Sequence, residues 1–362
     1  MEKENLNKKL FDAAYENDLE HAKLLIKQGA NVNAIDEDGI TLLHWTAYNN
    51  SVELAELLIK KGADVNYKNE YGNTPLHLSA LNNSVEVAEL LIKKGANVHA
   101  KDRDGGTPLH SAAYWNNVEV AKLLIKKGAD VNCKCKYCDT PLHVAAFKNN
   151  IEVAKLLIEK GADVNSENNW GFTPLDEAAR WNSLKVAELL IEKGADVNTK
   201  DKHGYTPLHE AASSNSVEVA ELLIKQGADV NSKNINSEIP LHEAARWNNL
   251  KVAKLLLEKG ADVNCKNTDL NTPLHYAANK NSLELAELLI KQGADVNCKN
   301  TDLNTPLHYA ATWYNTEVAK LLKKHKKMKI MNDVYRFSYF ILLTILLMNL
   351  LGFIYNIWNF DF

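Results

Sequence analysis

The sequence predicts an all-α repeat solenoid of about ten helix–turn–helix units, each closed by a β-hairpin-like finger, followed by a single C-terminal transmembrane helix. Three observations carry this. A Thr-Pro-Leu-His motif or a close variant begins at Thr41, Thr74, Thr107, Thr140, Thr173, Thr206, Ile239, Thr272 and Thr305, an unbroken 33-residue period. A glycine recurs on the same period at its own phase, from Gly29 to Gly293. The composition then changes at Phe337, after which 22 residues carry no charge.

The unit from Asn73 to His99 shows what each position does. Thr74 suits an N-cap, and Pro75 falls in the first helical turn, where a missing N–H costs nothing. Ser79 and Ala80 keep this first helix thin. It stops at Asn83, whose equivalents are Asn17, Asn50, Asn116, Asn149, Asn182, Asn215, Asn248 and Asn281; asparagine tolerates the left-handed turn needed there. The second helix presents Val85, Val87, Ala88, Leu90, Leu91 and Ile92 as a broad apolar face, and Gly95 ends it. The stretch up to the next motif reads as an extended finger with a tight turn, marked by Gly39, Gly72, Gly105, Gly171 and Gly204. Cys138, Ser237, Leu270 and Leu303 replace that glycine, and Ile239 replaces a capping threonine. The fingers before repeats five, eight, nine and ten are therefore expected to be looser. No unit buries its apolar face alone, so stability comes from stacking, and both ends need polar caps. Residues 5–17 and the lysine-rich end of repeat ten, where Lys326 stands in place of the next glycine, fill that role.

This pattern resembles the ankyrin repeat, whose hallmark is T-P-L-H-x-A-A in a 33-residue unit, over residues 5 to about 325. The resemblance implies a solenoid over residues 1–327. It implies that the motif histidines hydrogen-bond backbone at the finger base, and that the chain binds protein through a concave face and finger tips. It departs from the family by placing asparagine where glycine is usual at the inter-helix turn.

Composition narrows the chemistry. Six of the 42 basic residues but only two of the 46 acidic ones lie beyond Leu322, which leaves the preceding body with a net charge of −8. That argues against a nucleic-acid partner. Nothing in the sequence suggests a small-molecule substrate. The charged start, with no apolar run, does not read as a secretory signal, and five cysteines suit a reducing compartment. The eight motif histidines lie on separate repeats, roughly 10 Å apart, too far to share a metal. Cys133, Cys135 and Cys138 form the one metal-like cluster, but their spacing is poor for zinc, and an exposed, oxidisable thiol finger is the expectation. No cofactor, metal or catalytic motif is found, so an enzyme is not expected.

The tail divides into a basic juxtamembrane linker, 328–336, and a transmembrane helix, 337–358, long enough at about 1.5 Å per residue to cross a bilayer. The preceding lysines place the solenoid on the cytoplasmic side of a single-pass, tail-anchored protein. The last question is four tryptophans, Trp115, Trp181, Trp247 and Trp313, each 66 residues from the next and each among polar neighbours. With Tyr48, Tyr114, Phe147, Arg180 and Arg246 they occupy the two positions before the turn asparagine or its tenth-repeat equivalent, and are rich in hot-spot residue types. They read as a partner-binding surface, as packing between adjacent first helices, or as copies left by duplication, since 176–198 and 242–264 nearly match and 261–278 equals 294–311. The expected function is a protein-interaction scaffold tethering a partner at a membrane. The alternatives are a soluble binder or inhibitor whose apolar tail is itself a partner-binding helix, and a metal-dependent enzyme acting through the cysteine finger.

Overall fold

Every repeat from the second onward opens on the same local device. The N-cap backbone is extended (Thr74 φ −94°, ψ 165°), its N–H donates to His77 Nδ1 at 3.1 Å, and the Thr74 hydroxyl lies 2.9 Å from the same nitrogen. With Nδ1 accepting, Nε2 carries the proton and donates to the Gly106 carbonyl, 3.2 Å away in the next finger. His44, His110, His143, His242 and His275 make the same reach, each to a carbonyl 29 residues on. Each histidine therefore fastens its own helix start to the following finger. Burial pushes their pKa values down, to about 4 for His77 and His242, so the rings are neutral.

The computed structural model describes the backbone of residues 2–358 and the side chains of residues 4–328, 331 and 334–347. Among these residues there are twenty helices in ten pairs and no extended strand; one isolated antiparallel bridge joins Ile35 and Thr41. The chain divides between Ile235 and Asn236 into a unit of seven helix pairs and a unit of three.

In the larger unit, first helices pack against first helices and second helices against second helices. Paired alanines such as Ala112–Ala113, Ala145–Ala146 and Ala178–Ala179 are buried between the first helices, and their small size permits close, dense packing. In the second helices the face is narrower than the sequence suggests. Val87, Ala88 and Leu91 are fully buried, whereas Val85, Leu90 and Ile92 sit half-buried at its sides.

The fingers are tight turns cross-linked at their tips. Arg103 N–H donates to Tyr71 O at 3.0 Å, Lys136 to Asp104 O at 2.7 Å, Asn169 to Tyr137 O at 3.0 Å and Lys202 to Trp170 O at 3.1 Å. A Cβ on Gly72 would lie 2.7 Å from Arg103 N, so glycine serves both its left-handed φ of 79° and this close approach. The fingers expected to be looser keep the same turn: Cys138, Ser237, Leu270 and Leu303 adopt φ of 60–63°. Ile239 also keeps the extended cap backbone and donates its N–H to His242 Nδ1 at 3.1 Å. Its side chain supplies no acceptor, but the histidine half of the arrangement survives.

The turn asparagines are left-handed (φ 53–58°) as the sequence implies. They do more than tolerate that geometry. Asn50 Oδ1 accepts the Val87 N–H at 3.1 Å, and Asn83, Asn116, Asn149 and Asn182 repeat this toward residues 37 positions on. Each satisfies an orphan N–H at the start of the next repeat's second helix, which glycine could not do.

The smaller unit follows the same plan, with tip bonds from Thr268 to Asn236 O (2.9 Å) and Thr301 to Asp269 O (3.0 Å). Its final helix runs unbroken from Thr316 to Trp358. Val318 and Leu322 are buried while Lys323, Lys324, Lys326 and Lys327 are exposed. The expected linker, 328–336, is therefore part of this helix; with Lys326 in place of the stop glycine, nothing ends it. Every side chain from Val334 to Leu347 is exposed, so this stretch is not a terminal helix folded back on the repeats. The expected span 337–358 continues through 348–358, whose side chains lie outside the described residues. Among the described residues no helix is long and apolar enough to cross a membrane.

Candidate interaction surface

The residues before each turn asparagine lie past the last buried alanine of their first helix, and so project from it. In the larger unit this brings four of the predicted residues together. Trp115 meets Tyr114 with ring centroids 5.2 Å apart, Tyr114 meets Phe147 at 6.2 Å, and Phe147 meets the edge of Trp181 at 4.7 Å. Three successive first helices, Pro108–Trp115, Pro141–Lys148 and Pro174–Arg180 with its C-cap Trp181, thus supply one run of contacting rings. Trp115 and Trp181 are each 54 % exposed. Lys148 Nζ sits over the rings of Tyr114 (4.1 Å) and Phe147 (4.8 Å). Arg180 lies over Phe172 at 5.0 Å and pairs with Glu210 at 3.2 Å. Tyr48 belongs to a separate group, 6.4 Å from Trp45, which in turn meets Tyr15 at 5.5 Å.

In the smaller unit the surroundings differ. Trp247 and Trp313 are exposed, at 59 % and 63 %, and Lys280 approaches Trp247 at 6.0 Å. Arg246 is held inside the unit: it pairs with Glu238, bonds Glu243 at 2.8 Å and Tyr276 Oη at 3.0 Å, and stacks on the Tyr276 ring at 4.6 Å. Tyr276 Oη donates to Glu238 at 2.7 Å and Asn267 joins both. Burial works against the charged guanidinium, but Glu243, Tyr276 and Glu238 outweigh it and hold its pKa above the ordinary value. Arg246 therefore acts as a cross-repeat tie, where the sequence had offered it as a partner contact.

Sequence reasoning missed a second aromatic feature. Tyr137 and Trp170, at the tips of adjacent fingers, stack at 5.6 Å and are both exposed. The signal was available: they occupy the position before the turn residue, 33 apart, as Tyr71 does. Also missed was a cavity of about 210 Å³ beside the aromatic run, lined by Tyr114, Asp139, His143, Val144, Phe147 and Glu177. Burial pushes the Glu177 carboxyl up, opposed by Arg180 and reinforced by Asp139.

The cysteine finger is less open than expected. Cys133, Cys135 and Cys138 are all half-buried. Cys133 Sγ lies 3.4 Å from the Thr107 hydroxyl, and burial raises the pKa of Cys133 and Cys135, which keeps these thiols protonated and poorly nucleophilic. Among the described residues no group of three or more histidine, cysteine or acidic side chains could hold a metal ion. Asp176 replaces the motif histidine in repeat six. Its Oδ2 accepts from Thr173 N (2.8 Å) and Thr173 Oγ1 (2.7 Å), and burial raises its pKa to about 7.

A family model described as ankyrin repeats in three copies matches residues 10–102, 132–201, 170–234, 199–267 and 241–333, and one described as ankyrin repeats in many copies matches residues 82–125. No curated protein matches the chain.

Proposed function

The chain belongs to the ankyrin-repeat family, and on that premise we propose that it is a non-enzymatic scaffold that binds a protein partner and holds it at a membrane. Ankyrin repeats carry a protein–protein interaction role. The partner-binding face is assigned to the first-helix ends and finger tips of the larger unit, and the observation that carries the assignment is the ring run Trp115–Tyr114–Phe147–Trp181, in which Trp115, Tyr114 and Trp181 are exposed and the half-buried Phe147 links them. Contiguous exposed rings are costly to leave in water and mark interaction sites, and tryptophan and tyrosine dominate binding hot spots. The motif histidines weigh against acid–base catalysis, because both ring nitrogens of each cross-linking histidine are engaged with backbone.

The tether rests on the uncharged run 337–358, preceded by lysines that favour the cytoplasmic side. The all-round exposure of Val334–Leu347 supports it, because an apolar helix left bare needs lipid or a partner around it. The second reading, a tail that is itself a partner-binding helix, draws on the same exposure; extraction with alkaline carbonate separates the two.

The binding role is tested by capture on the immobilised full chain beside its Trp115→Ala/Trp181→Ala variant. A protein retained by the first and lost by the second supports the reading. An unchanged bound set refutes it.

A further inference from the structure

The cavity beside the ring run has a chemistry of its own. At about 210 Å³ it is smaller than the roughly 300–1,000 Å³ of pockets for whole small molecules, and matches a single side chain. Its walls are the rings of Tyr114 and Phe147, its aliphatic contribution comes from Val144, and its charged members are Asp139 and Glu177. Both carboxylates are half-buried. Asp139 is steadied by Asn168 Nδ2 at 2.8 Å. His143, the remaining lining residue, is neutral and spends its nitrogens on Thr140 and the Phe172 carbonyl, so it adds no positive charge. The chain's own Lys148 is an exposed side chain whose ammonium sits over the same two rings. Arg180 acts on Glu177 by charge but is paired with Glu210, and Lys134 acts on His143.

We propose that this cavity is a receptor for one basic side chain, an arginine or lysine, of the protein partner, with Tyr114 and Phe147 gripping it by cation–π contact and Asp139 and Glu177 by charge. The inference deepens the binding role proposed above and rests on it. Aromatic faces attract a desolvated cation, and a carboxyl whose proton affinity is raised by burial and by a neighbouring carboxylate, as that of Glu177 is by Asp139, is relieved by a positive charge beside it. Lys148 then acts as a tethered competitor: it occupies the ring faces in the free protein and swings into solvent when the partner's cation enters.

The test is selection of random dodecapeptides displayed on phage against the detergent-solubilised full chain, followed by fluorescence anisotropy with the best peptide. Selected peptides are expected to share one arginine or lysine among apolar residues. Replacing it by citrulline or norleucine should weaken binding by at least about tenfold, as should Glu177→Gln, and Lys148→Ala should tighten binding. The citrulline and norleucine arms leave the protein untouched, so they stand even if a variant folds poorly. Peptides that bind through Trp181 but carry no basic residue, or that bind less well after Lys148→Ala, would overturn the cation receptor and leave the binding face intact. Failure to select any peptide sensitive to Trp115→Ala/Trp181→Ala overturns both.

Discussion

Asp176 is the one motif position where the repeat's own chemistry is reversed, and replacing it should change how stability depends on pH. Its carboxyl is fully enclosed, accepts two hydrogen bonds from Thr173, and is repelled by Glu210 and Asp201. Burial dominates and raises its pKa from 3.8 to about 7. Between those values the folded chain holds a proton that the unfolded chain has released. Stability contributed here therefore falls as pH rises from about 4 to about 7, and is flat above. At ~1.4 kcal/mol per pKa unit the shift amounts to about 4 kcal/mol at most. Asp176→Asn keeps an oxygen for the Thr173 donors and removes the ionisation. Its advantage over the wild type should be near zero at pH 3.5, about 1–2 kcal/mol at pH 5 and about 4 kcal/mol at pH 7.5. Asp176→His should add a residue of opposite sign: a buried neutral histidine, like His77 with its pKa of about 4, contributes stability that is present above pH ~6.5 and lost as pH falls through its folded pKa. Urea unfolding of the three proteins across pH 4–8, followed by tryptophan fluorescence, measures this directly. A difference between wild type and Asp176→Asn that does not vary with pH would falsify the account, since it would place the carboxyl pKa at its unfolded value.

Leu270→Gly should stabilise the chain by about 1 kcal/mol, because a left-handed leucine costs ~1–2 kcal/mol and only part of the gain is offset by unfolded-chain entropy; Gly72→Ala, whose Cβ would strike Arg103 N at 2.7 Å, should cost at least about 2 kcal/mol, and equal midpoints in urea would contradict both. Trp181→Ala should weaken partner binding at least roughly tenfold yet cost only about 1–2 kcal/mol of stability through its lost edge contact with Phe147 and its lost hydrogen bond to Glu177; a large fall in melting temperature with unchanged affinity would show that the ring serves the stack. The full chain should stay with membranes through alkaline carbonate while residues 1–329 are released; release of both would remove the tether. Asn83→Gly should keep the turn but orphan the Val120 N–H, now 3.3 Å from Asn83 Oδ1, at a cost of about 1–2 kcal/mol; hydrogen exchange of the Val120 amide reports it, and unchanged protection would contradict the cross-repeat bond.

Much of the fold was legible because a 33-residue period multiplies weak local signals. One threonine is a modest hint of an N-cap; nine motif starts in register leave no competing assignment. What stayed hidden was how consecutive repeats hold each other. Asn83 announces a left-handed turn, but that its carboxamide reaches Val120 depends on how closely two repeats stack, which no local pattern reports. The tip-to-tip finger bonds are hidden for the same reason, since backbone atoms carry no sequence signature. The unbroken helix from Thr316 was readable in principle: with Lys326 in the glycine's place, the helix lacks its stop, and a change of composition at Phe337 does not require a change of backbone.

The two near-identical segments show why the site was harder to read than the fold. Residues 176–198 and 242–264 place Arg180–Trp181 and Arg246–Trp247 in the same local setting, and the sequence gives the two arginines equal standing. Their environments are decided by positions outside the copied stretch. Eight residues before each arginine stands Phe172 in one case and Glu238 in the other; thirty residues after stands Glu210 or Tyr276. Arg180 therefore stacks on an apolar ring and forms its ion pair with Glu210, remaining exposed. Arg246 meets Glu238, Glu243 and Tyr276 together and becomes part of the repeat-to-repeat packing. The same logic sets the aromatic run apart from the other tryptophans. Tyr114 and Phe147 occupy one repeat phase on successive first helices and link Trp115 to Trp181 through contacting rings. The tryptophan recurs every second repeat, but the residues that turn it into part of a continuous surface lie in the neighbouring repeats and do not recur with it.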